Sequence, residues 1–148
     1  MLVINNVEVD LAPIFDKYHL GTTIWGPISG GTLSVKYNYG NTPEGSRVDV
    51  IKHPLIQASF NQKVTQQKDK AVQTLQGLGA LAEELGVTQS QLAIAWTLKN
   101  PDVSTAIVGA TKVSQIEENL GALDAYLKPT LRLWLELRRF WKPFAPRR

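Results

Sequence analysis

Apolar residues recur at steps of three and four across residues 69–85, where Val72, Leu75, Leu78, Ala82 and Leu85 fall on one face. That period predicts an amphipathic helix. Gly77 and Gly79 lie inside it, and each weakens it by about 1 kcal/mol relative to alanine. Gly86 stands where a C′ glycine closes a helix. Thr88-Gln89-Ser90-Gln91 has capping-box spacing and opens a second helix through Leu98, which Asn100-Pro101 stops. A shorter helix is expected over residues 9–18, with Asp10 as N-cap, Pro13 in its first turn and Leu11, Ile14 and Phe15 on its apolar face. Ser114-Gln115-Ile116-Glu117 reads as another capping box, starting a third long helix with Val113, Ile116, Leu120 and Leu123 along one side.

Two short runs follow a different rule. Thr22-Thr23-Ile24-Trp25 is β-branched and aromatic and lies between Gly21 and Gly26-Pro27. Residues 104–108 form a similar run, turned by Gly109-Ala110-Thr111. Both are expected to be strands. Residues 28–36, with Gly30-Gly31, read as a loop running into a turn of helix. Residues 38–54, with Gly40, Pro43, Gly45 and Pro54, read as a long polar loop of a length that often carries function. The order is helix, strand, helices, strand, helix, which is α/β with parallel strands. Two strands are too few for a parallel sheet covered on both faces, so the pattern is expected to be part of something larger.

Charge divides the chain. Residues 1–130 carry ten basic and twelve acidic side chains, a net −2. Residues 131–148 carry six basic side chains (Arg132, Arg138, Arg139, Lys142, Arg147, Arg148) and one acid, Glu136, a net +5. The overall +3 therefore belongs to the tail and is no argument for a nucleic-acid-binding fold. Leu131, Trp134, Leu135, Leu137, Phe140 and Trp141 among those arginines give a basic amphipathic segment, which opens a reading as a membrane-surface anchor. No apolar run is long enough to span a bilayer. The absence of cysteine excludes disulfides and thiolate metal sites and favours a cytoplasmic setting. No His, Asp and Glu grouping has metal-ligand spacing, and no serine–histidine pairing suggests a nucleophile.

A strand that passes through glycine into a helix N-terminus aims backbone N–H groups at an anion. Residues 104–119 have that form, and in (β/α)8 barrels the phosphate site is often built from the loops after the last two strands. Three stretches carry a more specific likeness. Residues 22–37, with Trp25-Gly26-Pro27-Ile28, Gly30 and Lys36-Tyr37, are similar to the W-S-P-L-x-x-G-x-x-[ST]-G-K-Y stretch of the aldo-keto reductases. Gln91-Leu92-Ala93-Ile94-Ala95-Trp96 resembles that family's Q-[LV]-A-[LI]-A-W helix. Residues 107–119 resemble its [IV]-x-G-[AS]-[ST]-x-x-x-Q-[LI]-x-E-N signature. The order and spacing are specific, cover roughly residues 7–125, and lie nearest the potassium-channel β-subunit and fungal reductase branch.

The resemblance implies a fold that is α/β, a partial (β/α)8 TIM barrel holding the last two strand–helix units and so truncated. Residues 1–128 would be the carboxy-terminal part of the oxidoreductase domain and residues 129–148 an atypical basic tail. It implies NADP(H) as cofactor and a small-molecule carbonyl as substrate. Trp25 resembles the aromatic that stacks on the nicotinamide. Gly26, Pro27, Ile28, Ser29 and Gly30 resemble the ribbon along the pyrophosphate, where glycine permits close backbone approach. Lys36 and Arg47 resemble the phosphate-binding cations. Gly109 and Thr111 resemble the 2′-phosphate loop, and Gln115, Glu118 and Asn119 the adenosine-binding set, on one helix face at i, i+3 and i+4.

Two positions depart from the family pattern. Gly26 replaces a serine, and Val35 replaces the glycine before the lysine. A β-branched residue is poor where φ is positive, so a distorted loop around Lys36 is expected. The family's general acid is a tyrosine, tuned by a lysine and an aspartate beside a histidine. Tyr18, Tyr37, Tyr39 and Tyr126 match none of that position, and His19 and His53 read as surface residues. No catalytic residue is therefore assigned, and an incomplete reductase, inactive alone and prone to associate through exposed barrel edges, is expected. The alternative is a non-catalytic NADP(H)-binding or channel-β-like regulatory module.

Overall fold

The computed structural model describes residues 10–50 and 68–127. The expectations for the basic tail, His53 and the end of the 38–54 loop lie outside the described residues. The described chain runs α1 (Ala12–Tyr18), β1 (Thr22–Trp25), two 3₁₀ turns (Ser29–Gly31 and Val35–Tyr37), α2 (Arg47–Val50), α3 (Lys68–Glu84), α4 (Gln89–Leu98), β2 (Val103–Ile107), α5 (Val113–Leu120) and α6 (Ala122–Leu127). The strands are parallel neighbours, and Trp25 pairs with Ile107 at their carboxyl ends. Register is pinned at the other end. The Thr22 N–H and hydroxyl both donate to the Asp102 carbonyl, each at 2.7 Å. A bulge at Ser104 follows, and Gly21 faces it, since a Cβ there would collide with the Ser104 hydroxyl.

The core forms where α3 meets α4 and the stretch from Leu33 to the second 3₁₀ turn. Leu33, Tyr37, Leu75, Leu78, Leu81, Ala82, Leu92 and Ala93 pack together, with Ile28, Leu85, Val87 and Trp96 around them. Each large side chain buried there contributes about 1.5–3 kcal/mol. The predicted face of α3 is the observed one. Gly86 ends α3 at φ 63°, its N–H reaching Glu83 O at 2.9 Å while the Val87 N–H reaches Ala82 O at 3.0 Å. That is the Schellman closure. At α4 the Thr88 hydroxyl accepts from the Gln91 N–H and the Gln91 carboxamide accepts from the Thr88 N–H, so the expected box is present. Small residues let α4 and α6 approach closely, with Ala93, Ala95, Ala122 and Ala125 all buried.

Three expectations fail. Leu11, not Asp10, is the N-cap of α1, and no side chain caps it. The second capping box does not form. Helix α5 starts at Val113 with Lys112 as an extended N-cap, so Ser114 lies inside the first turn and its hydroxyl is past the capping position. The third helix is not continuous: it breaks at Gly121, where the Gln91 side-chain N–H₂ donates to Glu118 O at 2.8 Å. A side chain on Gly121 would collide with that same Gln91 nitrogen. The apolar side itself is present and faces outward: Val113, Ile116, Leu120 and Leu123 are exposed, as is Leu127 one turn on.

Candidate functional site

Parallel pairing puts the carboxyl ends of β1 and β2 side by side, so both following loops leave from one edge. The Gly26 N–H donates to Ile107 O at 3.2 Å, extending the ladder one residue into the first loop. Gly26 has φ 64°, Ser29 52°, Gly30 66° and Gly31 97°. This left-handed run folds the loop on itself. The Ser29 N–H donates to Gly26 O at 2.7 Å, and the Gly31 and Leu33 N–H groups share Ile28 O. The Gly30 N–H takes part in none of these bonds. A Cβ on Gly26, Gly30 or Gly31 would touch nothing within 4 Å, so these glycines are set by backbone conformation and leave the ribbon uncovered. Gly26 in place of serine therefore suits its left-handed backbone.

Val35 is not strained. It opens the second 3₁₀ turn, after extended Ser34, and is not among the positive-φ residues. The expected distortion around Lys36 is absent: the positive angles of this loop lie upstream, at residues 26 and 29–31. Lys36 is exposed between Val35 and Tyr37, the latter only 1% exposed in the core. Arg47 opens α2, whose start is tied by the Gly45 N–H to Asp49 Oδ2 at 2.8 Å.

The second loop leaves β2 through exposed Val108, Gly109 and Ala110. Its anchor is Gln115, whose Oε1 accepts from the Thr111 N–H at 2.9 Å and from the Thr111 hydroxyl at 3.3 Å. In place of the box expected between Ser114 and Glu117, Gln115 reaches back over the helix start to Thr111. Glu118 is exposed one turn on, and Asn119 is buried beneath it.

All thirteen residues singled out from the sequence line one open cleft of about 2100 Å³. Trp25 stands at the end of β1 with 85% of its surface exposed, so it is not a core residue. Lys36, Arg47 and Lys112 bring positive charge to the cleft wall and Glu83 and Glu118 negative charge. Of the tyrosines, Tyr37 is core and Tyr39 lies exposed on the cleft. Among the described residues no group of three or more His, Asp or Glu side chains could hold a metal ion, and no helix is long and apolar enough to cross a membrane. One contact had no sequence signal of its own. The buried Asn38 and Gln89 carboxamides bond reciprocally, at 2.9 and 3.2 Å, across 51 positions. Gly79, noted in the sequence only as a weak point of its helix, lies directly against them.

Comparison with known proteins places this geometry in context. Residues 1–130 match the aldo/keto reductase family. The chain is 39% identical over 124 residues to a probable voltage-gated potassium channel subunit beta of Arabidopsis thaliana, covering 84% of this chain and 36% of that protein. It is 41% identical over 120 residues to a protein of the same description from Oryza sativa subsp. japonica, covering 81% and 35%. A putative voltage-gated potassium channel subunit beta of Schizosaccharomyces pombe is 42% identical over 120 residues, covering 81% and 33%. The chain thus spans about a third of the length of the curated relatives it matches.

Proposed function

Because this chain belongs to the aldo/keto reductase family of (β/α)8-barrel oxidoreductases, we propose that its cleft holds NADP(H), with the 25–36 loop on the nicotinamide and pyrophosphate side and the 109–119 stretch on the adenosine side. The observation that carries this is the convergence of two loops, from adjacent parallel strands, on one cleft with an indole left in water at its mouth. The residues fit such a group. The flat Trp25 ring offers a face for a heteroaromatic ring. The open ribbon at Gly26, Gly30 and Gly31 admits a diphosphate to van der Waals contact with backbone. Lys36 and Arg47 supply charge-assisted bonds to phosphate oxygens. Thr111 and Lys112, at the start of α5, suit a further phosphate at a helix N-terminus.

When bound, the reduced nicotinamide supplies a hydride to a carbonyl carbon, and a small carbonyl compound is the substrate class proposed for the whole protein. The residues of this chain hold and orient the cofactor. Tyr37 is enclosed in the core, so it is not the proton donor. A regulatory reading stands beside the enzymatic one because the three relatives above are named as channel subunits. Fluorescence titration of the purified chain with NADPH tests the common part. Saturable binding, weakened by adenosine 2′,5′-bisphosphate, is expected, and no binding at millimolar NADPH overturns the reading. Carbonyl-dependent NADPH oxidation separates enzyme from regulator when read on the whole protein; none is expected from this chain alone.

A further inference from the structure

We infer that Asn38, Gln89 and Gly79 form a joint that sets the position of Lys36; the role of Lys36 itself rests on the NADP(H) reading above. A lysine on an exposed turn reaches a phosphate reproducibly only if the backbone beneath it is fixed. Here the Asn38 N–H closes the turn onto Val35 O at 3.2 Å, so the turn that carries Lys36 ends on Asn38. Tyr37 anchors it in depth, being buried in the core. An apolar anchor fixes depth but leaves rotation loose. The carboxamide pair supplies the missing direction: Asn38 Nδ2 donates to Gln89 Oε1 at 2.9 Å, and Gln89 Nε2 donates to Asn38 Oδ1 at 3.2 Å. Both residues are more than nine-tenths buried, so slipping out of register leaves largely buried polar groups unpaired.

The other two members explain why the joint is stiff. Gln89 is the first residue of α4, inside the capping box that locks that helix start. The turn bearing Lys36 is thereby tied to a fixed helix end. Gly79 lies in the middle of α3, where glycine is a poor choice on propensity alone. A Cβ there would come within 3.0 Å of Asn38 Nδ2 and 3.1 Å of Gln89 Oε1. The glycine therefore leaves room for the pair.

The test uses the full chain in four forms, each with Lys36 and with Lys36→Met: wild type, Asn38→Ala, Asn38→Leu with Gln89→Leu, and the exchange Asn38→Gln with Gln89→Asn. The leucine pair keeps the site filled if the alanine variant fails to fold. NADPH affinity and hydrogen exchange of the residue 37 and 38 amides are read on each. With Lys36 present, removing the pair is expected to weaken NADPH binding about tenfold, as for residues coupled in one network. In the Lys36→Met background the same change is expected to move affinity less than about twofold, and with Lys36 present the exchanged pair is expected to recover most of the loss. Exchange of the two amides rises without the pair. Equal losses in both backgrounds, or unchanged amide exchange, overturn the inference. If wild-type chain binds no NADPH, the cofactor reading falls and the exchange data alone decide whether the joint fixes the turn.

Discussion

Replacing Gly79 by alanine is expected to destabilise this chain, although alanine is the better helix former. In an isolated helix the change stabilises by about 1 kcal/mol. Here the new methyl lies 3.0 Å from Asn38 Nδ2 and 3.1 Å from Gln89 Oε1, so the pair must yield by a few tenths of an ångström. Its two bonds are already at 2.9 and 3.2 Å and both groups are buried. Each such bond contributes about 0.5–1.5 kcal/mol net, and a buried group left unpaired costs about 1–3 kcal/mol. Disrupting the pair thus outweighs the propensity gain, and a net loss of about 1 kcal/mol follows. Urea unfolding of the wild type and the variant reads this as a lower midpoint at unchanged slope. The sign should reverse in a chain carrying Asn38→Ala and Gln89→Ala, where the methyl meets no carboxamide and the propensity term of about 1 kcal/mol stands alone. A stabilising Gly79→Ala in the wild-type chain would refute the reasoning.

Thr88→Ala removes the hydroxyl that caps α4 and is expected to lower stability by about 1 kcal/mol in the same urea assay. Gly86→Ala forces a side chain into the left-handed closure of α3 and should lower it by about 1–2 kcal/mol. Trp25→Ala, at an 85% exposed position, should leave the midpoint within about 0.5 kcal/mol while weakening NADPH binding roughly threefold to tenfold by titration. Leu120→Lys with Leu123→Lys breaks the exposed apolar stripe of α5 and α6; sedimentation should show less self-association with little change in unfolding.

Features governed by nearest neighbours were legible from the chain alone. The strand at Thr22–Trp25, the glycine closure at Gly86 and the box at Thr88 each depend on a few consecutive residues, and each forms as read. The box expected at Ser114 failed because the same signal has two registers. Gln115 also satisfies the Thr111 N–H when the helix begins two residues earlier, at Val113. Val35 departs from the expectation because a positive φ was assigned by position in a motif, whereas the loop takes its left-handed residues at 26 and 29–31. The apolar side from Val113 to Leu123 is legible as a face, but its exposure is not, since periodicity marks an apolar stripe without saying what covers it. The Asn38–Gln89 pair joins elements 51 positions apart, and no local period marks such a contact. Its one trace in the sequence was an apparently misplaced glycine.

The two sides of the cleft are not equally built. The first loop is anchored at Ile28 and Tyr37 in the core and at Asn38 on α4, and it closes on itself through several backbone bonds. The second loop runs through exposed Val108, Gly109 and Ala110, and its side-chain anchor is the bond from Thr111 to Gln115 on an equally exposed helix. A ligand spanning both sides meets one wall already arranged and one that binding must hold in place. Ordering each rotamer-rich side chain of the second wall costs about 0.5–1.5 kcal/mol, whereas the first has met that cost in folding. With the cofactor seated as proposed, the diphosphate side should therefore provide most of the standing affinity. The proposed adenosine side should provide discrimination, because its contacts form only when the right group is present to order them. A fragment restricted to the adenosine end would then bind more weakly than its contact surface suggests, and fixing the second loop would strengthen it without any new contact to the ligand.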